Sequence, residues 1–255
     1  MTKEMGLPIT NSIFMAGDFV AEMLEYYAEH AEEFLAPEPV DLDPARGSGE
    51  MIYQPLGIIF AVEPWNATVY QAVRPACGNL MAGNVVVLKH AGIVPQSAEA
   101  IEQIFTGAGL LKGVFTKVRA NYDQVERIIE DRRVRGVTMM GSDAAGSIVA
   151  SQAGKAIEPS VLELGGNDAQ IVFEDADLDN IIACSMFRFM VAGQVCVSPK
   201  RMFIHEDIYD EFLDKFKERI NATKIGDPTD PRHRHWPTFL AGCSEASEGA
   251  DRTRR

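Results

Sequence analysis

The feature that most restricts how this chain folds is an alternation between residues 57 and 156. Short apolar runs there are each followed by a stretch of helical periodicity. Residues 57–62, 84–89, 113–118 and 136–140 concentrate Val, Ile, Phe and Met over the length of a strand buried on both faces. Residues 69–82, 95–108, 122–132 and 142–156 read as helices, with Val125, Ile128 and Ile129 on one face of the third. Parallel strands need a crossover of helical length between them, so strand-helix-strand repetition implies a parallel sheet covered on both sides. Right-handed crossovers make it doubly wound. The expected class is therefore α/β, with ligands bound at the carboxyl ends of strands, here Val62, Lys89 and Met140.

Before this region, residues 17–35 form an amphipathic helix carrying Phe19, Met23, Tyr26, Tyr27 and Phe34, and residues 36–50 read as a connector rich in Pro, Gly and acidic groups. After it come strands at 159–164 and 168–173, a helix at 177–192, a strand at 201–205 and a helix at 206–221. Beyond Asp227-Pro228 periodicity is lost, and 231–255 reads as a disordered tail.

Hydrophobic residues make up 46% of the 255, enough for a sizeable core. With 37 acidic against 24 basic residues and a formal charge of -13, a nucleic-acid partner is not expected. No apolar run approaches the roughly 18–20 residues of a membrane span, so no membrane partner is expected. No basic start precedes an apolar stretch at the N-terminus. Cys77, Cys184, Cys196 and Cys243 form no C-x-x-C pair, which suits neither a zinc site nor a disulfide framework. We expect no metal and a reducing, cytoplasmic location.

Three stretches carry chemistry. Gly193-Gln194-Val195-Cys196 offers a cysteine after a glycine turn. Free cysteine titrates near pH ~8.5, so a nucleophilic role needs an activating neighbour; the alternative is a small buried hydrophobe. Glu163-Leu164-Gly165-Gly166 ends an apolar run with a carboxylate. In a desolvated cleft it would act as a base, while facing water it would be a mere strand end. Pro64-Trp65-Asn66 follows the first strand of the alternating region, and the Asn66 amide would either steady an oxyanion or cap the next helix.

Together, Pro64-Trp65-Asn66, Glu163-Leu164-Gly165-Gly166 and Gly193-Gln194-Val195-Cys196 with Lys200 and Arg201 resemble the aldehyde dehydrogenase superfamily, in its order and spacing, over about residues 17–231. The resemblance implies NAD(P)-dependent oxidation of a small-molecule aldehyde to a carboxylic acid. Cys196 would attack the aldehyde carbon and Asn66, with the Cys196 amide, would hold the oxyanion. Glu163 would activate the water that hydrolyses the thioester. It implies NAD or NADP as cofactor, with Lys89 on the adenosine ribose and Trp65 and Leu164 beside the nicotinamide. Gly141 and Ser142, opening 141–146, would sit at a helix start that holds the diphosphate. Lys89-His90-Ala91-Gly92 lacks the glutamate that many members place three residues after the lysine, leaving NAD against NADP open. The same stretch, with Arg188, looks like the branch acting on succinate semialdehyde; Arg188 would meet a substrate carboxylate or be a surface arginine.

Family chains are about twice as long. The resemblance then implies a shortened, Rossmann-like NAD(P)-binding domain over 1–164 and the opening of an α/β catalytic domain over 165–230. The resemblance also implies a homo-oligomeric family, whose C-terminal oligomerisation strand is expected to be absent from this chain. Read one base later, codons allowed for 232–237 permit Thr-Asp-Ile-Gly-Pro, a family-like continuation, so 231–255 is hypothesised to be a frameshifted tail. An open family-like frame found only in the frame used here, on resequencing, would sink that idea. Three functions are carried forward: an active dehydrogenase, an inactive cofactor-binding fragment, and a cofactor-free thioester or ester hydrolase.

Overall fold

The computed structural model describes residues 1–232. The disorder and frameshift expected at 231–255 concern residues that lie, past Arg232, outside the described ones. The helices are α1 (Thr2–Met5), α2 (Ile9–Ala16), α3 (Asp18–Phe34), α4 (Thr68–Met81), α5 (Pro95–Gly107), α6 (Tyr122–Ile129), α7 (Asp143–Ala156), α8 (Leu178–Ser185) and α9 (Tyr209–Asn221). The strands are β1 (Glu38–Val40), β2 (Gly49–Met51), β3 (Ile58–Glu63), β4 (Val85–His90), β5 (Phe115–Lys117), β6 (Val134–Met140), β7 (Ser160–Glu163), β8 (Ala169–Val172) and β9 (Arg201–Ile204). They fall into two compact units, Phe14–Leu164 and a second made of Met1–Ile13 with the chain from Gly165 onward.

In Phe14–Leu164 one five-stranded sheet runs in the order β5-β4-β3-β6-β7, and every pairing in it is parallel. The order reverses between β3 and β6, which makes their carboxyl ends the switch point where such sheets bind ligands. Alternation along each strand sends side chains to two separate cores. Ala61, Val86 and Leu88 pack with Ala72, Ala76 and Ile101, on one face. Phe60, Val137 and Met139 pack with Val125, Ile129 and Val149, on the other. The doubly wound sheet read from the apolar alternation is thus the one observed.

Local signals start the helices. Asn121 and Gln124 form a reciprocal capping box at α6, and Asp177 accepts from the amides of Asp179 and Asn180 at α8. Each satisfies backbone donors that a helix start leaves open. Two readings need correction. Residues 36–50 are not only a connector: β1 and the start of β2 lie there, and the two pair antiparallel with Glu38 opposite Met51. The helix expected at 177–192 ends at Ser185, and Met186–Gly193 continues as 3₁₀ turns. Val191 and Ala192 there take φ of 50° and 51°, a left-handed region unfavourable to a β-branched residue. Apolar periodicity does not register such a break, because Val191 is an apolar residue and buried, as it would be in a continuing helix.

In the second unit β8 and β9 pair parallel, Ile171 opposite Phe203. Leu178, Ile182 and Phe212 bind α8 and α9 into a small core, and the Ile9 amide donates to the Pro228 carbonyl at 2.8 Å. Ile171 is 63% exposed and Phe203 51%, so this face of the sheet is apolar and open to water, an association liability.

Candidate active site

At the end of β3 the chain turns through Pro64-Trp65-Asn66. The Thr68 hydroxyl donates to the Trp65 carbonyl at 2.6 Å, fixing that turn at the start of α4. The N-cap position of α4 is Ala67, without a side-chain cap bond. Asn66 and Trp65 are both half-buried there.

At the end of β6, Ser142 caps α7: its hydroxyl accepts from the Ala145 amide at 3.3 Å. The Gly141 amide donates to the Glu163 carbonyl at 3.0 Å, joining this turn to the end of β7. A methyl group on Gly146 would come within 2.4 Å of Leu164 Cδ2, so glycine is what lets the first turn of α7 lie against Leu164. Gly141, Ser142, Glu163 and Leu164 are therefore gathered at one end of the sheet. The amides and dipole of α7 face that end and suit a diphosphate.

The Glu163 side chain is 49% exposed and receives the Arg74 guanidinium at 2.8 Å. The buried strand-end carboxyl is another one, Glu63, which is 3% exposed. Burial pushes the Glu63 carboxyl up to about 9; Arg74 opposes that rise and Glu163 adds to it. Its sequence signal was visible, a carboxylate closing the apolar run before Pro64-Trp65-Asn66. Arg74 had no signal, because only the fold brings it to Glu163, 89 residues away.

Glu63 makes stability depend on pH. The folded chain holds this proton up to about pH 9, while an unfolded glutamate releases it near its ordinary value of 4.5. Between those values the folded state binds more protons, so stability falls as pH rises through the window and levels off above it. Glu63→Gln should flatten that slope. Thermal unfolding of both chains from pH 5 to 9 measures it, and parallel slopes would refute the assignment.

Lys89, on β4, lines a separate cavity of about 210 Å³ with Gly92, Pro95, Lys117, Val118 and Arg119. Burial pulls the Lys89 ammonium below the ordinary lysine value. Lys117 is ion-paired with Glu99. The cavity thus presents three cationic side chains, two of which sequence reasoning did not single out.

Cys196 lies in the loop between the 3₁₀ stretch and β9, is half-buried, and is a free thiol. Its carbonyl accepts from Lys200 Nζ, which also donates to the Ser198 carbonyl at 3.0 Å and to Asp168 at 3.2 Å. One ammonium therefore gathers the Cys196 loop onto the residue before β8. A methyl group on Gly166 would stand 3.3 Å from the Cys196 carbonyl, which accounts for the second glycine of Glu163-Leu164-Gly165-Gly166. Ahead of the cysteine, Arg188 Nη1 donates to the Gly193 carbonyl at 2.5 Å, and the Gln194 amide to the Val191 carbonyl at 3.0 Å. Arg188 thus braces its own loop.

A further cavity, of about 560 Å³, is lined by Asn11, Met186, Met190, Arg219, Lys224 and Arg232 among others. None of the motif residues borders it. Among the described residues no cluster of three or more His, Cys, Asp and Glu could hold a metal ion. No helix among them is long and apolar enough to cross a membrane.

A model of the Aldehyde dehydrogenase family matches residues 1–239. A succinate-semialdehyde dehydrogenase [NADP(+)] of Mycobacterium avium (strain 104) is 46% identical over 233 residues, 91% of this chain and 49% of that protein. Succinate-semialdehyde dehydrogenase [NADP(+)] 1 of Mycobacterium ulcerans (strain Agy99) is 43% identical, with 93% and 52% covered. The chain thus spans about half the length of the curated relatives it matches. Among solved structures, succinic semialdehyde dehydrogenase from Streptococcus pyogenes in complex with NADP+ superposes with a TM-score of 0.91 at 39% identity, covering 96% of this chain and 53% of that one. Gox0499, studied for cofactor and substrate selection, superposes at 0.93 with 44% identity, covering 96% and 54%.

Proposed function

We infer the function from one premise: the chain belongs to the aldehyde dehydrogenase family. On that premise it oxidises a small aldehyde, succinate semialdehyde being the best-supported substrate, to the carboxylic acid with NAD or NADP. The single observation that carries the reading is the gathering of Gly141, Ser142, Glu163 and Leu164 at the carboxyl end of one parallel sheet. There a capped helix start meets a candidate base. Cys196 supplies the nucleophile, its Sγ adding to the aldehyde carbon. The Asn66 amide and the Cys196 N–H donate to the resulting oxyanion. Glu163 takes the proton of the water that cleaves the thioester. These are the separate parts that two-step acyl chemistry needs. The residues fit a dinucleotide, with α7 for its diphosphate and the Lys89 cavity for its adenosine end. When bound, the nicotinamide accepts the hydride.

The cations around that cavity favour the dinucleotide with the extra phosphate. NADP should stabilise the chain to heat more than NAD at equal concentration. Lys117→Met with Arg119→Met should weaken NADP binding by about tenfold or more, as lost charge-assisted bonds do, and leave NAD nearly unchanged. Equal losses for both would remove the phosphate from this cavity. Nicotinamide reduction by the purified chain with succinate semialdehyde tests the reaction itself. Cofactor-dependent stabilisation without product would instead support the binding fragment. Ester cleavage unaffected by cofactor removal would support the hydrolase.

A further inference from the structure

Glu63 is the one carboxyl in the Phe14–Leu164 unit whose two oxygens, both buried, have no hydrogen-bond partner among the described residues. A buried polar group left so costs on the order of 1–3 kcal/mol, and such a group calls for a physical reason. The sheet supplies one. Glu63 is the register partner of His90, Val62 that of Met139, and Met140 that of Glu163. His90, Glu63, Met140 and Glu163 therefore form one row across the carboxyl ends of four strands, all pointing to the same face. Ala61, two residues earlier on that face, packs against α4, and α4 carries Arg74. Glu63 and Glu163 flank β6, so their Cα atoms stand roughly 10 Å apart, two strand spacings. The Arg74 guanidinium lies above this row, bonded to Glu163, and is acted on by both carboxyl groups.

We propose that Glu63 is a positioning residue for Glu163: it is the second seat of the Arg74 guanidinium, which leaves Glu163 for Glu63 whenever Glu163 takes up a proton. The inference rests on the reading of Glu163 as the base. Before the exchange the row holds a Glu163 carboxylate, a Glu63 carboxylic acid and one guanidinium. Glu163 gains an O–H bond to a proton from water. The Glu63 O–H breaks and its proton leaves to bulk water. Arg74 follows the negative charge. Afterwards there is again one carboxylate, one carboxylic acid and one guanidinium, with no change in net charge. Leaving Glu63 unpartnered in the present arrangement is what keeps the second seat open. A carboxylate held permanently by a guanidinium is a poorer proton acceptor, so an alternative seat is what makes Glu163 releasable.

The groups that face Glu63 limit what else could move its proton. From α4 this is Arg74, which Tyr70 one turn before it acts on in turn; from β7, Glu163. From β4 comes His90, whose ring nitrogens lie 3.1 Å from the Glu63 and Thr68 carbonyls. β6 contributes Met140, which does not titrate.

The test uses the full chain labelled with carbon-13 at the glutamate carboxyl carbons, titrated by NMR, with Glu63→Gln assigning the Glu63 signal. Glu163→Gln imitates a protonated Glu163. It should lower the Glu63 midpoint by at least about two pH units, a hundredfold in its acid constant. Arg74→Gln in the same background should abolish most of that fall. A Glu63 midpoint unmoved by Glu163→Gln would overturn the proposal. So would an equal fall without Arg74, which would show charge repulsion alone. Glu163→Ala removes the same charge and replaces Glu163→Gln if the latter does not fold. No turnover is needed, so failure here is distinct from failure to reduce nicotinamide.

Discussion

Cys196→Ser should abolish nicotinamide reduction, by a factor on the order of 10⁴ or more, as loss of a covalent nucleophile does. A serine hydroxyl is ionised far less than a thiol at neutral pH and needs an adjacent base to attack a carbonyl. Oxygen also makes a less reactive acyl intermediate than sulfur, so both halves of the reaction suffer. The substitution is nearly isosteric, and the loop does not depend on the sulfur. Lys200 grips the Cys196 carbonyl, and Arg188 grips Gly193 upstream. Thermal stability and the stabilisation by NADP should therefore match the parent chain. Absorbance of reduced nicotinamide, followed with succinate semialdehyde, measures the effect. Reduction by the Cys196→Ser chain within tenfold of the parent would take the nucleophile away from Cys196.

The largest stability effect should come from Phe60→Ala. Phe60 is 0% exposed and lies on the central strand, opposite Val87 on β4 and Val137 on β6. Its ring fills the core shared with Val125, Ile129 and Val149. Truncation removes apolar burial and leaves a cavity that flanking strands cannot close, because their hydrogen bonds fix the spacing. Such changes cost about 3–5 kcal/mol, a large part of the roughly 5–15 kcal/mol that holds a domain folded. Ile104→Ala, at a side chain 67% exposed, should change stability by less than about 0.5 kcal/mol. Denaturant midpoints of the three chains measure the contrast. A Phe60→Ala midpoint equal to that of Ile104→Ala would contradict the packing described.

What the sequence alone determined was the set of local instructions. Runs such as Ile58-Ile59-Phe60-Ala61-Val62 announce strands buried on both faces, and Asn121 with Gln124 announces where a helix begins. The doubly wound sheet follows from these, since parallel strands joined by helices have few ways to pack. Asn66, Glu163 and Cys196 each stand in a short word whose order resembles the family's, and that is what singles them out in the sequence. What the tertiary structure decided depends on partners distant in the chain. Only the sheet register puts Glu63 and Glu163 in one row, and only α4 brings Arg74 onto it. Which of two strand-end carboxylates meets water and which is buried is therefore invisible in either local sequence. For that reason the local sequence left Glu163 open between a desolvated cleft and a strand end facing water. The same holds at Met186–Gly193, where periodicity favours a continuing helix. The left-handed turn there is held by the bond from Arg188 to Gly193, a contact that forms only once the chain has already turned.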